Sequence, residues 1–310
     1  MRIALDGVTA VLVTAYRDGT GRIDERAVAD IATRTAEAGI PVLTALGNTA
    51  EVQQLEPAER RAVLQAVARV EPPVTLIAGV CGASGTLLRE IEVAQAVGYH
   101  AAMVHEPSDP FGDADGLAAF YRQVAQAAAL PIVLYVRSMR LSAAHLADLT
   151  ALPAVVGVKY ARNDLHTLAT LLGGPAGKQC TWVNGLAESA VASFGALGVT
   201  SFTSGIANAR PDIALAVHRA VTDGDLALLR GLVRDFVGPV EALRAEHGGR
   251  YNVATIKQLL RWQGLEAGGV RAPHSELDEL ALARLAGVRH ASVTPAGTPS
   301  KPRDRSEDRP

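Results

Sequence analysis

Short apolar segments recur along the first 205 residues and alternate with longer segments rich in alanine and leucine. Each short segment is five to eight residues long and is rich in β-branched residues, which is typical of a buried strand. The eight segments are 10–15, 41–47, 74–80, 101–106, 131–137, 155–161, 181–185 and 198–205. A strand followed by a helix, repeated eight times, predicts an α/β protein with a parallel sheet.

The segments between the predicted strands carry the signals of helix ends. One helix is predicted to begin at Asp24-Glu25 and to stop at Gly39, since acidic residues favour a helix start and glycine favours a stop. Another is predicted to begin at Glu56-Pro57, because proline suits the first helical turn. The number of strands favours a closed (β/α)8 barrel, a TIM barrel, over an open doubly wound sheet. No GxGxxG follows the first strand, which argues against a dinucleotide-binding fold.

The chain is predicted to have three parts. Residues 1–225 are expected to form the (β/α)8 barrel and to carry the catalytic groups. From about residue 211 the strand pattern gives way to helical spacing, and residues 226–290 are predicted to be additional C-terminal helices. Residues 291–310 are rich in proline and charge, cannot bury much apolar surface, and are predicted to be disordered.

Composition narrows the possible partners. Apolar residues make up 48% of the chain and charged residues 20%, with a net charge of −2, which makes nucleic acid and anionic membranes unexpected partners. No apolar run reaches the roughly 18 residues of a membrane span. Cys81 and Cys180 form no CxxC, so neither a disulfide framework nor a zinc site is predicted. The run at 7–16 is interpreted as a strand rather than a signal peptide, and a cytoplasmic protein is expected.

Lys159 is the first candidate for chemistry. The chain has 30 basic residues but only four lysines, and this one lies in the apolar strand segment VVGVKYA. One interpretation is a lysine that extends from a strand end to solvent. The alternative is a buried amine, whose charged form is disfavoured and which then acts as a nucleophile. The segment places Lys159 at the C-terminal end of the sixth strand, where barrels of this class carry their functional groups.

Two further features point to the same mouth of the barrel. Strand alternation places Tyr135 and Arg137 on one face at the end of the fifth strand. After the second strand, Gly47 and the small polar residues Asn48 and Thr49 form a turn whose N–H groups suit a carboxylate, or which simply caps a helix. An amine, a phenol and an anion-binding turn together suit a 2-oxo acid, because the amine attacks the ketone and the resulting iminium accepts electrons.

On these motifs the chain resembles the dihydrodipicolinate synthase and N-acetylneuraminate lyase superfamily over roughly residues 3–290. The similar segments are GVTAVLVTAY, GNTAE in place of a GTTGE-like motif, VLYVRSMR in place of a YNVPSR-like motif, VVGVKYA, GVTSFTSGIAN, and Asn252–Lys257 with GVRAPHSEL. The resemblance implies a class I, Schiff-base lyase with Lys159 as the imine-forming residue and Tyr135 as the proton-shuttling phenol. It also implies the Asn48–Thr49 turn as the carboxylate site and a homo-oligomer, either a dimer or a tetramer. No metal or other cofactor is expected, because no cluster has metal-ligand spacing and an iminium already provides the electron sink.

The chain also departs from the family pattern at several positions. Asn48 replaces the first threonine of the GTTGE-like motif, and Arg137 stands where a small apolar residue is usual. The tyrosine pair after the fourth strand is replaced by His105 and Glu106, so the phenol supplied across a subunit contact is missing. Arg140 keeps the place of the arginine that binds a substrate carboxylate. His105 is interpreted either as an acid–base or hydroxyl-binding residue or as a partly buried structural histidine.

These departures favour the dehydratase and aldolase branches, which act on 2-keto-3-deoxy sugar acids. The predicted catalytic residues are Lys159 and Tyr135, and the predicted substrate-binding residues are Asn48, Thr49, Arg137, Arg140 and His105. The alternatives are a synthase that condenses pyruvate with an aldehyde, as in 4-hydroxy-tetrahydrodipicolinate synthesis, and a catalytically silent protein that binds a 2-oxo acid. A phosphate-binding barrel is less favoured, since no basic residue closely follows Gly185 or Gly205 until Arg210.

Overall fold

The computed structural model describes residues 3–17 and 20–288. Eight parallel strands close into a barrel in which each strand pairs with the next and the eighth pairs with the first. The strands are β1 (Val8–Val11), β2 (Val42–Ala45), β3 (Thr75–Val80), β4 (Ala101–Val104), β5 (Ile132–Val136), β6 (Val155–Tyr160), β7 (Thr181–Asn184) and β8 (Phe202–Ser204). The predicted (β/α)8 barrel is therefore confirmed.

Seven of the predicted strand segments enclose their strands, and the first is displaced. The prediction placed the strand at 10–15, whereas β1 covers Val8–Val11. The ladder with β8 ends early because the amide of Val13 donates to Oδ1 of Asn208 at 3.0 Å, while Nδ2 of Asn208 donates to the carbonyl of Val11. Residues 12–15 are buried all the same, which explains why their apolar character imitates a strand.

Helices surround the barrel and follow the predicted segments. They are α1 (Glu25–Glu37), α2 (Pro57–Val67), α3 (Ser84–Ala96), α4 (Ala114–Ala127), α5 (Ala143–Thr150), α6 (Leu165–Gly173), α7 (Ala176–Gln179), α8 (Val191–Gly195), α9 (Pro211–Thr222), α10 (Leu226–Leu232), α11 (Gly238–Gly249), α12 (Asn252–Trp262) and α13 (Glu279–Ala286). The side chain of Asp24 caps α1, and proline occupies the first turn of α2, as the sequence indicates. In the part of the chain that the structure describes, no helix is both long and apolar enough to cross a membrane.

The barrel interior is filled from its N-terminal end. Leu5 belongs there to a buried cluster with inward-facing residues of the strands, and it lies beside Gly157 together with Val133. A Cβ at Gly157 would lie 2.6 Å from Cδ1 of Leu5. This position of β6 therefore admits only glycine unless the Leu5 side chain moves. The glycine in VVGVKYA therefore makes room for Leu5, and it leaves Lys159 as the next inward residue toward the C-terminal mouth.

Of the C-terminal helices, α10 packs against α9, α13 packs against α11, and α12 contacts the turn that follows β2. The contact contains a buried ion pair, in which Nζ of Lys257 lies 2.8 Å from Oε1 of Glu51. Nζ also donates to the carbonyl of Gly269 at 2.6 Å, and Oε2 of Glu51 accepts from the amide of Arg271 at 2.7 Å. The ring of Tyr16 covers Nζ at 4.1 Å. This network fixes the β2 turn to the helices. The predicted tail at 291–310 lies outside the described residues.

Replacing Lys257 with methionine is expected to lower the free energy of unfolding by about 3–5 kcal/mol, because it leaves the buried carboxylate of Glu51 without its cation. Denaturant titration monitored by circular dichroism measures the change. Lys178→Met, at an exposed lysine, is the matched control and should change stability by less than about 0.5 kcal/mol. A loss of the same size for both variants would contradict the structural role of the pair.

Candidate active site

Lys159 lies near the end of β6, where it pairs with Tyr135 of β5 and Val183 of β7. Its side chain is buried, at 5% exposure, and Nζ lies 4.2 Å from the centre of the Tyr135 ring. Among the described residues, no carboxylate lies within ion-pair distance of this amine. Burial and, to a lesser extent, the nearby Arg137 guanidinium lower the pKa of Lys159 from 10.5 to about 7. A substantial fraction of the amine is thus neutral and nucleophilic near pH 7, and the side chain does not extend into solvent.

Tyr135 is held on three sides. Its hydroxyl oxygen accepts a hydrogen bond from Nδ2 of Asn48 at 3.1 Å, and its backbone carbonyl accepts one from the hydroxyl of Tyr121 at 2.8 Å. The ring of His105 meets its ring edge-on, with 5.1 Å between ring centres. Burial raises the pKa of Tyr135, while Arg137 and the Asn48 hydrogen bond oppose the rise. The phenol is therefore protonated at neutral pH, and the two opposing groups would stabilise a transient phenolate.

The turn after β2 differs from the expected helix start. Asn48–Ala50 and Val52–Gln54 form two short 3-10 turns, and the helix itself begins only at Pro57. The N–H groups at the start of the first turn have no partner within it, so they remain suited to an anion. Thr49 is buried and faces the same cavity as Lys159. The side chain of Asn48 turns to the Tyr135 hydroxyl, so at this position an amide takes the place of the family's threonine hydroxyl.

A cavity of about 470 Å³ opens at the C-terminal mouth of the barrel. It brings together five of the predicted residues, namely Lys159, Tyr135, Asn48, Thr49 and Arg137. Gly185, at the end of β7, lies on its wall, and a Cβ there would lie 3.0 Å from Cγ of Lys159 and 2.8 Å from Cβ of Ala161. Any larger residue at this position would therefore displace the lysine.

The other two predicted residues, His105 and Arg140, line a second cavity of about 460 Å³ that also borders Tyr135 and Arg137. Burial and the charge of Lys159 lower the pKa of His105 to about 3, so this imidazole is neutral at physiological pH. Its Nε2 is buried and has no hydrogen-bond partner among the described residues. The guanidinium of Arg140 donates to backbone carbonyls of the loop 107–112. Arg140 is thus bound to a loop rather than directed into the Lys159 cavity.

The sequence did not predict four further residues that line the Lys159 cavity, and these residues form its far wall. Arg244 and Glu241 of α11 and Asn252 of α12 reach it, together with Thr203 of β8. Arg244 is buried and approaches β8 so closely that a Cβ at Gly205 would lie 2.7 Å from its Nη2. The loop after β8 therefore does have a basic neighbour, Arg244, which lies 39 positions after Gly205 in the sequence.

A buried carboxyl lies behind this wall. Glu188 accepts a hydrogen bond from Oγ of Ser204, and burial together with the charge of Glu241 raises its pKa to about 8. Its Oε2 has no hydrogen-bond partner in the described part of the chain. Within residues 3–17 and 20–288, no group of three or more histidine, cysteine, aspartate and glutamate side chains could hold a metal ion.

The chain is similar to the proteins of one known family. Residues 4–288 match the model of the dihydrodipicolinate synthetase family. The chain is 31% identical over 284 residues to a probable 5-dehydro-4-deoxyglucarate dehydratase of Streptomyces coelicolor, a match that covers 89% of each chain. It is 34% identical over 251 residues to another probable 5-dehydro-4-deoxyglucarate dehydratase, of Ralstonia nicotianae, covering 79% of this chain and 80% of the relative.

Solved structures have the same architecture. Dihydrodipicolinate synthase of Bacillus clausii is 30% identical and superposes with a TM-score of 0.86, covering 92% of this chain and 97% of that one. The same enzyme of Oceanobacillus iheyensis is 28% identical and superposes with a TM-score of 0.87, covering 91% and 94%.

Proposed function

The chain belongs to the dihydrodipicolinate synthetase family and is a lyase, and we propose that it dehydrates a 2-oxo sugar diacid through an imine on Lys159. The observation that carries the proposal is the buried amine of Lys159, which lies against the Tyr135 phenol in a cavity that Arg137 also lines. The dehydratase names of the relatives support the choice of reaction. The compound that fits best is 5-dehydro-4-deoxyglucarate or a close analogue.

The site offers a group for each end of such a substrate. This diacid has a ketone at C5 beside the C6 carboxylate, a methylene at C4, hydroxyls at C3 and C2, and a second carboxylate at C1. The turn at Asn48 and Thr49 would hold the C6 carboxylate through backbone N–H groups and the threonine hydroxyl. That binding brings C5 to the amine of Lys159. The guanidinium of Arg137 would pair with the distal C1 carboxylate, to which it can donate two parallel hydrogen bonds.

The chemistry needs one nucleophile and one proton carrier. The amine of Lys159 adds to C5, and the Tyr135 phenol gives a proton to the departing oxygen, which leaves as water and yields the iminium. The resulting phenolate takes a proton from C4, and the electron pair of that C–H bond forms an enamine. The enamine expels the C3 hydroxyl, which leaves as water with the proton from Tyr135. Hydrolysis of the conjugated iminium then frees Lys159, so the net loss is one water.

Arg137→Ala is expected to raise KM for 5-dehydro-4-deoxyglucarate by about ten- to a hundredfold, because a charge-assisted pair with the distal carboxylate is lost. Borohydride trapping of pyruvate, which has no distal carboxylate, should fall far less. Both are measured at about pH 8.5, where Lys159 is deprotonated in either protein. Arg122→Ala, at an exposed arginine of α4, is the control and should match the native enzyme. Equal losses for diacid and pyruvate would remove Arg137 from the distal end.

The pH dependence of kcat/KM should report the amine of Lys159. Only the neutral amine attacks a ketone, so kcat/KM is expected to rise about tenfold per pH unit on the acid side and to level off near pH 7. An unperturbed lysine, with its pKa of 10.5, would instead leave about one amine in 3,000 reactive at pH 7. A limb that continues to rise toward pH 10 would show that the active-site amine has an ordinary pKa.

Product analysis distinguishes the proposal from its rivals. With the purified enzyme and 5-dehydro-4-deoxyglucarate, loss of water without release of pyruvate supports the dehydratase. Release of pyruvate would indicate an aldolase instead. Efficient condensation of pyruvate with aspartate semialdehyde, followed in a coupled reductase assay, would indicate a synthase. A protein that forms no product from any of these compounds would fit a silent binder of 2-oxo acids.

The assembly and location of the enzyme also belong to the proposal. We propose a homo-oligomer, either a dimer or a tetramer, in the cytoplasm. The family relationship supports the assembly, and the free cysteines Cys81 and Cys180 are compatible with a reducing compartment. Light scattering of the purified protein measures the assembly directly.

A further inference from the structure

Glu106 joins two loops at the barrel mouth. It follows β4, and its carboxylate accepts hydrogen bonds from the backbone amides of Arg137 at 3.1 Å and Ser138 at 3.0 Å, both of which follow β5. Its side chain is only 9% exposed and borders the second cavity. A carboxylate that accepts from two successive N–H groups makes strong, charge-assisted bonds. The backbone that carries Arg137 is therefore fixed by a residue of the neighbouring loop.

Arg140, in the loop after β5, in turn binds the loop after β4. Its guanidinium donates to the carbonyls of Pro107 at 3.3 Å, Gly112 at 3.2 Å and Asp109 at 3.4 Å, all in the loop after β4. Its Nη2 also lies 3.9 Å from Oε2 of Glu106, so the two charges partly balance each other. Each loop thus binds the backbone of the other through one charged side chain. We call Glu106 and Arg140 together the loop clasp.

The guanidinium of Arg137 needs such support. Its side chain is exposed, and in the described part of the chain no hydrogen bond or ion pair holds its guanidinium. The position from which this long side chain extends is consequently set by its backbone, where Glu106 binds. A charge-assisted hydrogen bond weakens steeply with distance and angle, so a shift of this backbone weakens the contact of Arg137 with a bound carboxylate.

From these contacts we infer that the loop clasp positions Arg137 for the distal carboxylate of the substrate, and that Glu106 determines specificity through Arg137. The inference rests on the proposed function, because it assumes that Arg137 binds that carboxylate. It also assigns Arg140 a role different from the one that the family resemblance implies, since its donors are bound to the loop. In this enzyme, Glu106 and Arg140 are positioning residues and Arg137 is the group that touches the substrate.

A double-mutant cycle tests the inference. Glu106→Gln preserves shape, but the neutral amide can accept from only one of the two N–H groups and turns its own NH2 toward the other. The variant is expected to raise KM for 5-dehydro-4-deoxyglucarate by about tenfold, with kcat and pyruvate trapping within about twofold of native. In an Arg137→Ala background, Glu106→Gln should add no further loss. Glu106→Asp should recover part of the loss, and Glu92→Gln, at an exposed glutamate of α3, should have no effect.

The possible outcomes separate the inference from the function. A tenfold loss that persists in the Arg137→Ala background, an equal loss of pyruvate trapping, or no change in KM would each overturn the inference while leaving the dehydratase in place. Failure of the native enzyme to dehydrate the diacid would instead overturn the proposed function. If Glu106→Gln does not fold, Arg140→Lys tests the other half of the clasp, since lysine cannot reach three carbonyls at once. It should show the same dependence on Arg137.

Discussion

Replacing Lys159 with alanine or arginine is expected to lower kcat by about 10⁴-fold or more, which is the usual size of the loss when a covalent nucleophile is removed. Alanine removes the amine, and arginine stays protonated and cannot form the imine. The fold should survive the alanine substitution, because Lys159 forms no ion pair whose loss would leave a buried charge alone. Circular dichroism and a thermal melt check the fold, while turnover of 5-dehydro-4-deoxyglucarate measures the effect.

The matched control is the exposed Lys178, and Lys178→Ala and Lys178→Arg should retain native turnover. Lys159→Arg is the more informative of the two active-site variants, since it keeps a long basic side chain in the site and removes the amine that forms the imine. A Lys159→Arg enzyme that retains more than about a tenth of native turnover would contradict an imine mechanism.

Tyr135→Phe is expected to lower kcat by about 10²–10⁴-fold, the usual contribution of a positioned proton carrier. Phenylalanine keeps the ring that contacts Lys159 and His105, and it removes only the hydroxyl to which Asn48 donates. Substrate should therefore bind, and KM should change much less than kcat. Steady-state kinetics with the diacid measure both quantities.

Tyr99→Phe serves as the control for a lost phenol, since Tyr99 is also buried but its hydroxyl donates to the carbonyl of Leu64, outside the candidate site. That variant should keep native kinetics, whatever its effect on stability. Near-native turnover in Tyr135→Phe would show that another group moves the proton. The neutral imidazole of His105, with its unpartnered Nε2, would then be the first residue to substitute.

The central pair of the site could be predicted because local rules determine it. Alternation along a strand decides which side chains point inward, and parallel strands bring their C-terminal ends to one mouth. Lys159 and Tyr135 each lie at the end of an apolar segment, so these two rules were enough to bring them together, and the β5–β6 register pairs them directly. Seven of the eight strands follow from the apolar pattern in the same way, and the starts of α1 and α2 follow from their end signals.

Other parts of the site depend on contacts that no local pattern encodes. Arg244 reaches the β8 loop from α11, and the amphipathic spacing of that helix does not distinguish a buried arginine from an exposed one. The place of Arg140 in the sequence indicated a substrate-binding arginine, but the loop after β4 offers its guanidinium three carbonyls. The sequence marked Glu106 as a departure from the family pattern but did not indicate its contacts, because its partners are backbone amides, which leave no trace in the sequence.

The loop contacts give a structural role to His105 and Glu106, two positions at which the chain departs from the family pattern. The neutral His105 packs against the Tyr135 ring, and Glu106 binds the backbone of the next loop. Both residues therefore support the residues proposed to act on the substrate from within the same chain. The absent tyrosine pair is thus replaced by a histidine that packs and a glutamate that binds backbone, which agrees with a reaction other than dihydrodipicolinate synthesis.

The most direct test of the imine mechanism is borohydride reduction of the enzyme with pyruvate and, separately, with 5-dehydro-4-deoxyglucarate, followed by mass spectrometry of its peptides. An imine on Lys159 predicts a reduced adduct on that residue with both compounds, and no adduct on Lys178 or Lys257 of the same protein. The Lys159→Arg variant should give no adduct at all. An adduct on another lysine, or native enzyme that turns over the diacid without ever being trapped, would contradict the imine mechanism.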